Sequence, residues 1–152
     1  MSKDRARRCL EGGTSVLVAT VDRHGMPACC RAIAVTSNDD LASVTTYVPV
    51  ATSQTIIANI AISHRMAVVV THPVEHSSVQ LKGLTSAARL ARDDEAPLMN
   101  LRLEQFADVL HSLGIPRRVT RAVAHWPVFA IEMRVEEIYE QTPGPRAGAR
   151  LQ

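Results

Sequence analysis

Aromatic residues are scarce in this chain: one Trp, two Tyr and two Phe make up 3% of its 152 residues. Few rings are therefore available to stack bases, and a net charge of +2 gives little attraction for a polyanion. Nucleic acid is not an expected partner. Cysteine is scarce too. Three cysteines do not make a disulfide framework, and the adjacent Cys29 and Cys30 could bridge only with strain. Free thiols point to a reducing, cytoplasmic setting. No apolar run approaches the roughly 20 residues of a membrane-spanning helix, so no membrane is expected as a partner. No apolar stretch follows Met1-Ser2-Lys3-Asp4-Arg5, so a secretory leader is not expected. The GxGxxG, GxSxG, CxxC and helical HxxxH patterns are all missing. That argues against a Rossmann nucleotide site, a serine-hydrolase elbow and a metal centre.

What is present is β-rich. Hydrophobic residues make up 46% of the chain, and its length suffices for one buried core. A single domain over 1–152 is expected, opening with a short basic helix within 1–13 that Gly12-Gly13 stops. A Pro/Gly-rich tail over 142–152 is expected to be loose unless a partner holds it. Val16, Val18 and Thr20 alternate with Leu17, Ala19 and Val21, as on the two faces of a strand. Arg23-His24-Gly25-Met26-Pro27 and Ser37-Asn38-Asp39-Asp40 then read as turns. Strands are expected over roughly 15–21, 27–35, 41–48, 66–72, 78–91 and 128–139, with boundaries uncertain by a few residues. The run MAVVVT (Met66 to Thr71) reads as buried on both faces. Gly83, inside the fifth strand, suggests a bulge or a close backbone approach. Thr52-Ser53-Gln54 offers N-cap chemistry for a helix ending near Ser63. A longer helix is expected from Arg92 to Leu113, its buried stripe being Met99, Leu103, Phe106, Leu110 and Leu113. A short helix follows from Pro116 to Ala124. The expected class is mainly β: about six antiparallel strands closing a barrel, with peripheral helices.

Several features in fixed order give this pattern a specific likeness. A Gly25-Met26-Pro27 turn joins the first two strands, and Arg31 lies within the second. Thr46-Tyr47 ends the third, followed by a Ser/Thr loop and a helix of the form N-I-x-x-x-x-R from Asn59 to Arg65. The strand segment QLKG, Gln80 to Gly83, comes next. From about Gly12 to Ala91 the chain resembles the pyridoxamine 5'-phosphate oxidase-like family of FMN-binding split barrels.

The resemblance implies a homodimer with flavin mononucleotide at the subunit interface. It also implies oxidoreductase activity on a small molecule with a separate electron donor. Carried over by position, it nominates Arg31, Ala32 and Ile33, then Thr45, Thr46 and Tyr47, then Thr52, Ser53, Gln54 and Thr55, with Lys82 as a further cation. An arginine fork and a helix N-terminus both suit a phosphate dianion. Plainer roles exist for the same residues: Arg31 in an ion pair with a carboxylate, Thr52 and Ser53 as helix caps. The family usually has a cation just inside this helix. Here the segment reads Gln54-Thr55-Ile56-Ile57, leaving Arg31, Arg65 or Lys82 to serve. No catalytic acid or base is nominated. The alternative function is a binding or sensing module that holds flavin, haem or deazaflavin without turnover.

Overall fold

Asp22 makes the first turn. Its Oδ1 accepts the backbone N–H groups of His24 and Met26 at 2.7 and 2.9 Å, and Gly25 takes the positive φ of 82° that the reversal needs. This turn joins β1 (Ser15–Val21) to β2 (Pro27–Ala32) in an antiparallel pair. The computed structural model describes residues 2–151. In it the expected second strand is broken. Ala32, Ile33, Ala34 and Val35 are all buried, and four successive buried residues cannot share one face of a regular strand. The chain bends at Ile33 and continues as β3 (Ala34–Ser37), which pairs with β4 (Ser43–Pro49) and not with β1. Seven strands result, where about six were expected.

The strand order is β2-β1-β5-β6-β7-β4-β3, with β5 at Arg65–Thr71, β6 at Ser78–Leu90 and β7 at Val128–Glu140. Every pairing is antiparallel. The two edge strands, β2 and β3, are consecutive in the chain. The sheet therefore curls until its edges face each other across Ile33, whose N–H bonds to Tyr47 O at 2.8 Å. This is a split barrel. Val16, Val18, Val68, Val70, Leu81, Ile131, Met133 and Val48 point inward and form its core.

Helices close the two ends. α1 (Lys3–Arg8) lies at the end carrying the β5–β6 turn and contributes Ala6, with Cys9 and Leu10 just after it. α2 (Gln54–Ser63) closes the opposite end with Ile56 and Ile60, and Asn59 Nδ2 donates to Thr20 Oγ1 at 3.0 Å. Ser53 occupies the N-cap position of α2, but its hydroxyl turns back to Pro49 O at 2.7 Å and makes no cap bond. A 3₁₀ turn at Val50–Thr52 brings that carbonyl within reach.

α3 (Ala96–Ser112) follows a 3₁₀ turn at Asp93–Glu95 and lies on the outer face, over β3, β4 and β7. Met99, Leu103 and Ala107 are its buried residues, while the expected stripe member Leu113 is exposed. α4 (Arg117–Arg121) is shorter than expected. Through Leu151 the tail is tied down, and Gln152 lies outside the described residues. Leu151 N bonds to Ile138 O at 2.7 Å and Gly148 N to Glu140 O at 2.7 Å. These bonds run the tail back along β7, and Leu151 packs on the core.

Candidate functional site

The outer face has a bare half. Across β2, β1, β5, β6 and β7 the register aligns Cys29, Ala19, Ala67, Lys82 and Glu137 in one row. Small side chains in the middle of the row leave a shallow floor. The expected bulge lies at its end. Lys82 pairs with Glu137 but Gly83 pairs with Val135, so Glu136 is the extra residue. A Cβ on Gly83 would meet Arg134 O at 1.9 Å, which only glycine permits. The bulge brings Glu136 and Glu137 together to the wall of a cavity of about 320 Å³, within the usual range for small-ligand sites. Its other walls include Thr20, Pro27, Arg65, Ala67 and Lys82.

The charges in this cavity are unequally engaged. Glu136 accepts from Arg134 Nη2 at 2.8 Å. Glu137 accepts the Tyr139 hydroxyl at 2.9 Å and lies 3.5 Å from Arg150 Nη1. That hydroxyl bond to a carboxylate holds the Tyr139 pKa up. Lys82 Nζ sits 4.8 Å from the centre of the Tyr139 ring. Among the described residues, neither Lys82 nor Arg65 pairs with a carboxylate. Both carboxylates are thus partnered and two cations are open, which suits an anionic ligand.

The nominated residues do not gather at one place. Lys82 is in the cavity. Arg31, on the same outer face, bonds to Ser15 Oγ at 3.3 Å and lies over the Phe106 ring at 5.2 Å. Ala32 and Ile33 are buried at the bend. Thr46 points into the barrel, where its hydroxyl has no hydrogen-bond partner among the described residues. Thr45 and Tyr47 alternate with it and face outward under the α3 side. There the Tyr47 hydroxyl donates to Glu95 Oε1 at 3.1 Å. Thr52, Gln54 and Thr55 are exposed at the start of α2, and Ser53 is buried. Trp126 is more than a third exposed and joins neither core cluster. Burial pushes the Cys30 thiol up to about 11, which makes it a poor nucleophile.

Several lining residues escaped the sequence reading. Arg65 was seen only as the end of a helix pattern and as a spare cation. Strict alternation along the last strand would place Glu136 and Glu137 on opposite faces. Their convergence depends on the bulge, and Gly83 was the one signal for it. Ala19 and Ala67 carry no signal of their own, because a floor is defined by what is missing above it.

An all-antiparallel, curled seven-stranded sheet, with a helix at each end and an outward cavity, defines a split-barrel protein. No protein-family model matches this chain, and no curated protein does. Solved structures do. HupZ from Group A Streptococcus superposes with a TM-score of 0.57 at 17% identity, covering 97% of this chain and 100% of that one. An F420 reductase gives 0.56 at 14%, covering 87% and 94%. An FMN-binding protein from Syntrophomonas wolfei gives 0.50 at 11%, covering 91% and 89%. The chain has the split-barrel fold of the pyridoxamine 5'-phosphate oxidase-like proteins. The likeness read from Gly12 to Ala91 thus extends over most of the chain.

Proposed function

We propose that this protein binds a flavin-type cofactor, FMN as the first candidate, on the bare half of its outer face. The observation that carries this reading is the cavity: a small-residue floor beside two unpaired cations, Lys82 and Arg65. The donor set fits the group. Ala19 and Ala67 leave room for a flat ring, and Lys82 and Arg65 would hold an anionic tail. Fold relatives include an FMN-binding protein and an F420 reductase, which supports a flavin or deazaflavin. When bound, the flavin ring supplies the electron transfer itself. The residues of this chain bind, orient and exclude water, and we assign the protein as an oxidoreductase on a small molecule.

The same face serves a homodimer in this reading. Leu17 and Val21 are exposed on it and Val69 is half-buried, an apolar surface that a second copy would cover. A second reading, a carrier without turnover, is favoured by one observation: both cavity carboxylates are already engaged, leaving neither open to take up a proton from a substrate. The absorbance spectrum of freshly purified protein separates these. Flavin bands bleached by a nicotinamide donor support the enzyme. Flavin bands that the donor leaves unchanged support the carrier. A Soret band, or no flavin bands with no flavin uptake on titration, rejects the proposal.

A further inference from the structure

A second concave site lies between β2 and the α3–α4 pair, where none of the cofactor residues of the cavity reaches. It is small, about 20 Å³, enough for one water-sized group. Arg31, Arg102, Phe106 and Thr120 are among its lining residues. Thr120 is only 3% exposed, and its hydroxyl has no partner among the described residues. Arg102 Nε is also buried without a partner, although its Nη1 bonds to Gln105 Oε1 at 3.1 Å. Two unmatched polar atoms in one pocket are unusual, because buried donors nearly always find acceptors.

The surrounding charges sharpen this. No carboxylate lines the pocket. Glu104, on the same helix as Arg102, is taken by Arg121 through two bonds of 2.8 and 2.6 Å. Asp108 is taken by Arg117 at 2.7 Å. Glu11 acts on Arg102 only through space. Arg31, an exposed residue of the lining, sits over the Phe106 ring at 5.2 Å, with Nη1 bonded to Ser15 Oγ at 3.3 Å. The lining therefore presents two guanidinium groups and a hydroxyl, with no counter-charge.

We propose that this pocket binds a phosphate-type oxyanion, free or as the terminal group of a larger ligand. One oxygen enters the cavity to meet Thr120 Oγ1 and Arg102 Nε, and the remaining oxygens face Arg31 at the mouth. The volume sets this division, since it admits one oxygen and not the whole ion. The inference does not depend on flavin occupying the other cavity.

Calorimetric titration of the full chain with inorganic phosphate, against sodium chloride at matched ionic strength, tests it. Thr120→Val keeps shape and removes the hydroxyl. Arg102→Met keeps most of the packing and removes the charge. Phosphate affinity is expected to fall roughly tenfold in the first and tenfold to hundredfold in the second, the range for hydrogen bonds to charged groups. Equal phosphate affinity in wild type and a folded Thr120→Val would overturn the proposal, as would absence of inorganic phosphate binding by the wild type together with an FMN affinity that a folded Arg102→Met leaves unchanged. If Arg102→Met does not fold, Arg31→Gln at the exposed rim replaces it, with a loss again supporting the site. FMN and riboflavin separate the two sources. An Arg102→Met loss for FMN but not riboflavin places a ligand phosphate in the pocket, and a loss for inorganic phosphate alone makes the anion a free one. Phosphate binding without any flavin binding would leave this site standing and reject the cofactor reading.

Discussion

Over β3, β4 and β7 the outer face of the sheet is sealed, and over β1, β5 and β6 it is bare. The sealed half has its own apolar cluster of Ile33, Ala34, Tyr47, Met99, Val128 and Ala130 beneath α3. A polar hub locks its edge. Glu95 accepts two bonds from Arg89 at 2.7 and 2.9 Å, one from Tyr47 at 3.1 Å and one from Arg92 N at 2.7 Å. The bare half has neither a covering helix among the described residues nor such a hub. It has small side chains, exposed Leu17 and Val21, and two unpaired cations. One sheet thus has two surfaces. One completes the fold within the chain, and the other is the face proposed above for a ligand and a second copy.

The comparison breaks most severely at the bulge. Gly83→Ala would press a methyl group onto the Arg134 carbonyl, and backbone cannot yield as a side chain can. A loss of about 3 kcal/mol is expected in urea unfolding, at the upper end for overpacking. A loss below about 1 kcal/mol would mean the bulge can open without harm. Next is the hub. Glu95→Gln should cost roughly 1.5–3 kcal/mol, the range for hydrogen bonds to charged groups, while FMN affinity stays unchanged.

The hub also sets a pH dependence. Its bonds from Arg89 hold the Glu95 carboxyl down to about 2, from an ordinary 4.5. A depressed carboxylate contributes stability that is fully present above about 4.5 and lost as the pH falls through about 2. Melting temperatures from pH 5 to pH 2 should fall more steeply in wild type than in Glu95→Gln. Parallel curves would remove Glu95 from the account. The smallest effect on folding is expected on the bare half. Leu17→Ser should change unfolding by less than about 0.5 kcal/mol, as exposed positions do. It should nevertheless shift sedimentation from dimer toward monomer. A wild type that sediments as a monomer at micromolar concentration would show that this face has no second copy.

The sequence disclosed the two halves unequally. The turns at 23–27 and 37–40, the alternation of β1 and the bulge glycine are readable, because each rests on local chemistry. The bend at Ile33 is not. Its cause is four consecutive buried residues, and their burial depends on β7 and α3, both distant in sequence. MAVVVT read as doubly buried, yet only Met66, Val68 and Val70 are, since the other face of β5 is the bare one. Periodicity reports apolar character and cannot say whether a partner covers it. The nominated site suffered likewise. A motif gives residues in chain order, but strand alternation turns Thr46 inward and Thr45 and Tyr47 outward. Lys82 and the spare cation Arg65 reach the cavity through the β5–β6 register, a long-range fact.

The claim that the bare half is the ligand-binding half is tested most directly by one fluorescence titration. FMN is titrated into wild type, Lys82→Ala and Glu95→Gln at a pH where all three are folded. The account predicts binding by wild type and by Glu95→Gln with matching affinity. It predicts a tenfold to hundredfold weaker dissociation constant for Lys82→Ala, the loss of about 1.5–3 kcal/mol for a charged hydrogen bond. Affinity that is lost in Glu95→Gln and kept in Lys82→Ala would place the ligand on the sealed half and contradict the account.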